Sequence, residues 1–120
     1  TFLKKTNFLI ISAALNNKTR NFFTFDKLKK LPRGSSIINI SRGELVNESA
    51  ILKLLKSKHI KKVSTDVLKN EEGILSKRNK LVDYARNNAN LLITPHMAGL
   101  TIESEKKALT KISNLLKRTL

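Results

Sequence analysis

Short apolar runs alternate along the chain with segments whose apolar residues recur at helical spacing. Four runs have the length of β-strands, at 8–14, 36–40, 61–67 and 91–94. The first is apolar except for Ser12, a pattern that predicts a fully buried parallel strand. The second contains three β-branched isoleucines, which strands favour. Short apolar strands separated by helical patterns predict βα units and a parallel sheet.

The helical pattern covers the segments 24–31, 48–58, 81–89 and 101–118. Thr24 and Thr101 begin two of these segments and Asn47 precedes a third, and all three are residue types that cap helix N-termini. Right-handed crossovers are expected to place helices on both faces of the sheet. The sequence therefore predicts an α/β fold with about four parallel strands, flanking helices and a long C-terminal helix.

Ionisable residues follow three of the predicted strands. Arg42 follows the second strand, Asp66 ends the third, and His96 follows the fourth, while Glu71 lies in the loop after Asp66. Parallel strands bring their carboxyl ends to one edge of the sheet, where open α/β sheets bind ligands. A cation, two carboxylates and an imidazole at one edge indicate an acid–base site.

Each of these residues also has a simpler interpretation. Arg42 and Glu71, taken singly, are typical of solvated surface charges. Asp66 could cap a helix or turn. His96 follows Pro95 and could be a turn residue with no chemical task. Only the convergence of all four residues favours the site.

The strong positive charge suggests an alternative class of function. The chain carries 24 Lys and Arg against 9 Asp and Glu, for a net charge of +15. Its lysines are scattered in pairs, and one Tyr and five Phe offer few stacking surfaces, so we do not predict nucleic-acid binding. The alternative to an enzyme is a non-catalytic basic α/β module that binds an acidic partner.

Several classes of protein are excluded by composition. No apolar run approaches the roughly 20 residues of a membrane span, and no signal-peptide pattern is present. The absence of cysteine rules out disulfides and thiolate metal sites, and we predict no metal site. A cytoplasmic location is predicted. Because Thr1 is not an initiator residue, we also expect the chain to begin inside a longer protein.

Three motifs in order give a family resemblance. The segments 39–46 (NISRGELV), 66–71 (DVLKNE) and 94–101 (TPHMAGLT) resemble the D-isomer-specific 2-hydroxyacid dehydrogenase family, which includes phosphoglycerate dehydrogenase. The resemblance implies an NAD-dependent oxidoreductase of the EC 1.1.1 type. Such an enzyme transfers a hydride between a nicotinamide cofactor and a D-2-hydroxy acid or 2-keto acid, with 3-phosphoglycerate among the candidate substrates.

The resemblance also implies roles for individual residues. The catalytic set would be Arg42, which holds the substrate's carboxylate and carbonyl, His96, which donates or accepts the proton, and Glu71, which pairs with His96. Asp66 would bind the nicotinamide carboxamide. The implied cofactor-binding residues are Ile40, Ser41, Arg42, Asp66, His96, Met97, Ala98 and Gly99.

Two departures from the family pattern bear most on the prediction. Glu72 stands where the family usually has proline, which leaves the geometry of its loop open. No Gly-x-Gly-x-x-Gly motif is present, so the pyrophosphate-binding half of a Rossmann domain is missing. We therefore predict that residues 1–100 are the second half of a Rossmann-like dinucleotide-binding domain.

Further expectations concern the whole protein. Residues 101–120 are expected to form a helix that leads back towards a missing substrate domain. The chain by itself is expected to be inactive, with the edge of its first strand exposed. NAD is the expected cofactor, NADP stays open because the discriminating residue would lie in the missing half, and the full-length protein is expected to be a homodimer or larger.

Overall fold

The computed structural model describes residues 2–71 and 79–119, which contain a four-stranded sheet. Its strands are β1 (Phe8–Ile11), β2 (Ser35–Asn39), β3 (Ile60–Thr65) and β4 (Leu91–Ile93). Neighbouring strands are parallel and lie in the order β1-β2-β3-β4. The predicted α/β fold with four parallel strands is therefore confirmed. The segment 70–80, whose polar residues and Gly73 predict a loop, lies largely outside the described residues, and Glu72 lies entirely outside them.

The helices that connect the strands cover one face of the sheet. The described helices are α1 (Phe25–Leu28), α2 (Glu48–Lys56), α3 (Lys80–Ala85) and α4 (Ile102–Thr119). Helix α2 packs against both α1 and α3. Our expectation of helices on both faces is wrong for these connections. Strands added in one direction through right-handed crossovers place every connecting helix on the same side.

Strand β1 shows the consequence of this one-sided layering. Leu9 and Ile11 are buried, whereas Phe8 and Ile10 are 73% and 60% exposed. The predicted full burial of this strand is therefore wrong, because none of the connecting helices in the described part of the chain covers its second face. The prediction that β1 is an edge strand is confirmed by the strand order.

The core lies between the sheet and helices α1 to α3. Ile37 and Ile60 from the sheet contribute to it, together with Leu28 from α1 and Leu54 and Leu55 from α2, and all five are at most 2% exposed. Burying each such side chain contributes roughly 1.5–3 kcal/mol. This core fixes the strands, whose carboxyl ends together form one edge of the sheet.

Helix boundaries follow the capping residues only in part. Asn47 caps α2 as predicted, because its side chain accepts a hydrogen bond from the Ala50 N–H at 2.9 Å. Thr24 makes no side-chain cap, and α1 is shorter than predicted. Helix α2 ends before Lys58, whose φ of 55° is left-handed. A left-handed residue at this place terminates a helix.

The C-terminal helix α4 forms as predicted. The Thr101 hydroxyl accepts a hydrogen bond from the Ser104 N–H at 3.1 Å and so caps its first turn. Its apolar stripe is largely exposed, with Ile102, Leu109 and Ile112 each at least 55% exposed. Among the described residues, no helix is both long and apolar enough to cross a membrane.

Candidate active site at the carboxyl ends of the strands

The loops that follow β2, β3 and β4 meet around an open cleft of about 520 Å³. The cleft is lined by Arg42, Gly43, Glu44, Leu68, Asn70, Glu71 and His96. The structure therefore brings together three residues that the sequence places 25 or more positions apart: Arg42, Glu71 and His96. Asp66 lies at the same edge of the sheet, directly after β3.

The loop after β2 is shaped by the buried side chain of Asn39. Its Nδ2 donates to the Arg42 carbonyl at 3.1 Å, and its Oδ1 accepts from both the N–H and the hydroxyl of Ser41 at 3.2 Å. These bonds close a tight polar turn directly after the strand. Arg42 is exposed, and its Nη1 donates to the Ser41 carbonyl at 2.7 Å. Among the described residues, no partner occupies the rest of the guanidinium fork, which can bind an anion.

Gly43 allows the loops after β2 and β3 to touch. A Cβ atom at this position would lie 2.1 Å from the Leu68 carbonyl carbon and 2.3 Å from the Lys69 nitrogen. No side chain fits between two backbones at that separation. The contact fixes Arg42, on one loop, relative to Glu71, on the other.

Glu71 and His96 form a hydrogen-bonded pair. The Glu71 Oε2 lies 2.7 Å from His96 Nδ1, and its Oε1 accepts from the Leu68 N–H at 2.6 Å. A carboxylate can only accept, so the proton of this bond belongs to Nδ1. Nε2 is then the ring nitrogen that can exchange a proton with a ligand. The imidazole is 47% exposed and therefore accessible.

Asp66 is buried and binds the backbone next to His96. It is 5% exposed and accepts hydrogen bonds from the Thr94 hydroxyl, from Met97 N–H at 3.0 Å and from Ala98 N–H at 2.8 Å. Burial alone would raise the pKa of Asp66. The bonds from Thr94, Ala98 and Met97, together with the nearby His96, outweigh burial and hold this pKa below its usual value.

The same bonds determine the orientation of His96. Its φ is 52°, a left-handed conformation that non-glycine residues seldom adopt and in which His is enriched. The two N–H groups that follow His96 donate to Asp66. Asp66 therefore holds the turn on which the imidazole stands.

The other residues predicted on the cofactor side lie around this edge. Ile40 follows β2 and is 48% exposed, Met97 is 53% exposed, and Ala98 and Gly99 are exposed. Ser41 is half-buried and is committed to Asn39. All of them belong to the turns that also carry Arg42 and His96.

Sequence reasoning gave no role to Asn39 or Thr94, although both shape the site. Asn39 at the end of a strand, two residues before Ser41, is a recognised signal for a side-chain-bonded turn. Thr94 is 28 residues from Asp66, and no local pattern indicates that pairing. The close approach at Gly43 is likewise invisible without the structure.

Because the pKa of Asp66 is lowered on folding, Asp66 stabilises the fold above its unfolded pKa of about 3.9. That stabilisation is lost as the pH falls through the lower pKa of the folded state. Asp66→Asn keeps the shape but loses an acceptor, so we expect unfolding at pH 7 to become easier by about 1.5–3 kcal/mol. The difference from wild type should shrink below about pH 4.

Urea unfolding of the full-length protein at pH 7, 5 and 3.5 measures this effect. The matched control is Asp26→Asn, which removes an exposed carboxylate from the first turn of α1. A stability difference for Asp66→Asn that is the same at all three pH values would contradict the linkage argument.

Comparisons of this chain with known proteins all point to the same family. A model of the D-isomer specific 2-hydroxyacid dehydrogenase NAD-binding domain matches residues 1–98. A putative 2-hydroxyacid dehydrogenase of Haemophilus influenzae is 32% identical over 96 residues, which are 80% of this chain and 30% of that protein. The chain thus spans under a third of the length of this curated relative.

Solved structures show the same architecture. A D-isomer specific 2-hydroxyacid dehydrogenase of Xanthobacter autotrophicus Py2, in complex with NADPH and MES, has a TM-score of 0.79 and 30% identity. That match covers 98% of this chain and 46% of that one. The NAD-complexed enzyme of Lactobacillus delbrueckii ssp. bulgaricus has a TM-score of 0.81 at 24% identity, covering 96% of this chain and 38% of that one, which shows the fold.

The strand-end surface suits a nicotinamide ring. A Cβ on Gly99 would meet no atom of the described residues within 4 Å, so a flat ring can approach the backbone there. Within the described part of the chain, Oδ2 of Asp66 accepts only the Ala98 N–H. A carboxylate oxygen has room for a second donor, such as a carboxamide N–H.

Proposed function

The chain belongs to the D-isomer-specific 2-hydroxyacid dehydrogenase family, and from this premise we propose that the whole protein interconverts a 2-keto acid and a D-2-hydroxy acid with NAD. It would be an oxidoreductase of the EC 1.1.1 type. The observation that carries the proposal is the hydrogen-bonded Glu71–His96 pair, which shares one cleft with Arg42.

Arg42 binds the substrate's carboxylate and carbonyl oxygen. Its exposed guanidinium presents a planar fork of donors, which matches a carboxylate in two parallel hydrogen bonds. The turn held by Asn39 and the close packing at Gly43 keep the fork at the cleft. Arg42 thereby orients the substrate's reacting carbon.

His96 transfers the proton. During reduction its protonated imidazole gives the Nε2 proton to the carbonyl oxygen, and in the reverse direction Nε2 accepts the hydroxyl proton. Glu71 holds Nδ1 and stabilises the imidazolium that forms when the alcohol is oxidised. The Leu68 N–H in turn holds Glu71, so the pair is orientated before substrate binds.

The cofactor supplies the hydride when it is bound. Asp66 would bind the carboxamide of the nicotinamide, and the backbones at Ile40, Ser41, Met97, Ala98 and Gly99 would line the ring. Asp66 thus has a second task besides holding the turn at His96. NAD is our proposed cofactor, and NADP is the alternative to be tested beside it.

Residues 1–100 are, in this proposal, the second half of a dinucleotide-binding domain, and 101–120 lead back towards a substrate domain. Support comes from the edge position of β1, the exposed Phe8 and Ile10, and the exposed stripe of α4. The chain alone is then inactive. A homodimer or larger assembly and a cytoplasmic location stay predictions.

Purified full-length protein, incubated with NADH or NADPH and a panel of 2-keto acids that includes 3-phosphohydroxypyruvate, tests the function. We expect oxidation of the reduced cofactor with at least one keto acid, and formation of the D-enantiomer by chiral chromatography. Absence of turnover, together with salt-sensitive binding to acidic proteins, would favour the basic-module alternative instead.

Arg42→Lys is expected to raise KM for the keto acid about 10- to 100-fold, since a lysine cannot reproduce a bidentate, charge-assisted contact. The dissociation constant for NADH should stay within about threefold. Steady-state kinetics and cofactor fluorescence titration measure the two effects. A KM that does not move would remove Arg42 from the substrate site.

A further inference from the structure

Glu48 does not line the cleft that holds Arg42, Glu71 and His96, yet its carboxylate reaches the loop that carries Glu71. It is half-buried in the first turn of α2, and its Oε1 accepts from the Lys69 N–H at 2.6 Å. Asn79, the N-cap of α3, is close enough to lower the pKa of the Glu48 carboxyl. Glu48 therefore contacts the loop 21 residues along the sequence and lies close to the start of the next helix.

The groups around the Glu48 carboxylate are themselves fixed. Lys69 directly follows Leu68, whose N–H donates to Glu71. Asn79 caps α3, because its Oδ1 accepts from the N–H groups of Leu81 and Val82 at 2.8 Å and 3.3 Å. Glu48 thus fastens the loop two residues before Glu71, close to the start of the next helix.

Glu48 is also linked to the substrate side of the cleft. It lies five residues after Gly43, and the segment between them contains the 3-10 turn Gly43–Leu45. Gly43 itself touches the backbone of Leu68 and Lys69. The segment 43–48 directly follows Arg42. Both of its ends contact the loop after β3, Gly43 at Leu68 and Lys69 and Glu48 at Lys69.

Burial of the Glu48 carboxylate costs free energy, because burial disfavours its charged form. Burial raises the pKa of Glu48, and Lys69 and Asn79 offset only part of that effect. One alternative role for a half-buried carboxylate in the first turn of a helix is a favourable interaction with the helix dipole alone. That role requires no partner on another loop, whereas Glu48 makes a 2.6 Å bond to one.

We propose that Glu48 is a positioning residue for catalysis: it fixes the loop after β3 so that the Glu71 carboxylate meets His96 beside Arg42. The inference rests on the proposed dehydrogenase function. Glu48 touches neither substrate nor cofactor in this scheme. Its removal should therefore affect the rate of chemistry and leave cofactor binding unchanged.

The test uses Glu48→Ala and Glu48→Gln in the full-length protein. For Glu48→Ala we expect kcat to fall about 10- to 100-fold, the loss typical of a catalytic group misplaced by about 1 Å, with the NADH dissociation constant within about threefold. Glu48→Gln keeps one acceptor oxygen and should lose about two- to tenfold. Asp26→Asn is the matched control, because it also removes a first-turn carboxylate.

Hydrogen–deuterium exchange resolved to single amides gives a readout that does not depend on turnover. The Leu68 N–H reports on the placement of Glu71, to which it donates. We expect its exchange to accelerate at least about tenfold in Glu48→Ala, while amides of β3 keep their rates. When a hydrogen bond that anchors the loop is lost, the loop opens locally more often, and amide exchange detects this opening.

The outcomes separate the two claims. Wild-type kcat and wild-type Leu68 exchange in Glu48→Ala would overturn the positioning role, as would a lower melting temperature with unchanged kcat. If Glu48→Ala does not fold, wild-type values in Glu48→Gln would overturn it. If the wild type turns over no keto acid, the proposed function fails, and Leu68 exchange alone decides whether Glu48 anchors the loop.

Discussion

His96→Ala is expected to lower kcat for keto-acid reduction by about 10²- to 10⁴-fold, the contribution of a positioned general acid. The structure gives the reason: the imidazole is accessible, its Nδ1 is bound to Glu71, and Nε2 remains for the substrate. Steady-state assays of the full-length protein measure the loss. Fluorescence titration should show NADH binding with an affinity within about threefold of wild type.

The chain offers a matched control, since it contains two histidines. His59 Nε2 lies 3.0 Å from the Leu31 carbonyl, and His59 is half-buried away from the cleft lining. His59→Ala should reduce stability by about 1 kcal/mol and leave kcat unchanged. Unchanged turnover in His96→Ala would refute the assignment of His96 as the proton donor, and with it the proposed mechanism.

Gly43→Ala is expected to give the largest loss of stability, about 3 kcal/mol, at the upper end of the usual cost of overpacking. The added methyl group would lie 2.1 to 2.4 Å from backbone atoms of Leu68 and Lys69. Backbone cannot rotate aside as a side chain can, so the loop after β3 must move. Urea unfolding measures the stability, and kcat should fall as well because Glu71 moves with that loop.

Gly99→Ala is the control for this substitution. A Cβ on Gly99 meets no atom of the described residues within 4 Å. The free energy of unfolding of Gly99→Ala should therefore differ from that of the wild type by less than about 0.5 kcal/mol. Both variants add the same methyl group to a loop. Equal stability of the Gly43→Ala and wild-type proteins would mean that the two loops are not locked together.

The elements were predictable because their signals are local. Short apolar runs and helical patterns, together with caps such as Asn47 and Thr101, depend on residues within a few positions of each other. Boundaries were less accurate. The helical pattern suggested that α1 reaches Leu31, yet α1 ends at Leu28, and Thr24 precedes it without a side-chain cap.

The layering of the sheet was not predictable from the same signals. An apolar run such as Phe8 to Ile11 reads as a buried strand, but whether both of its faces are covered depends on the order of strands. The observed order places the connecting helices on one side. The exposure of Phe8 and Ile10 follows from that topology.

The sequence by itself determined the α/β class, the parallel sheet and the residue types at its carboxyl edge, because periodicity and strand-end position are properties of neighbouring residues. Only the tertiary structure decided which groups touch: Glu71 with His96, Thr94 with Asp66, Gly43 with Leu68, and Glu48 with Lys69. These partners lie 21 to 28 residues apart. Pairings at such separations depend on how strands and loops pack, and no local pattern encodes them.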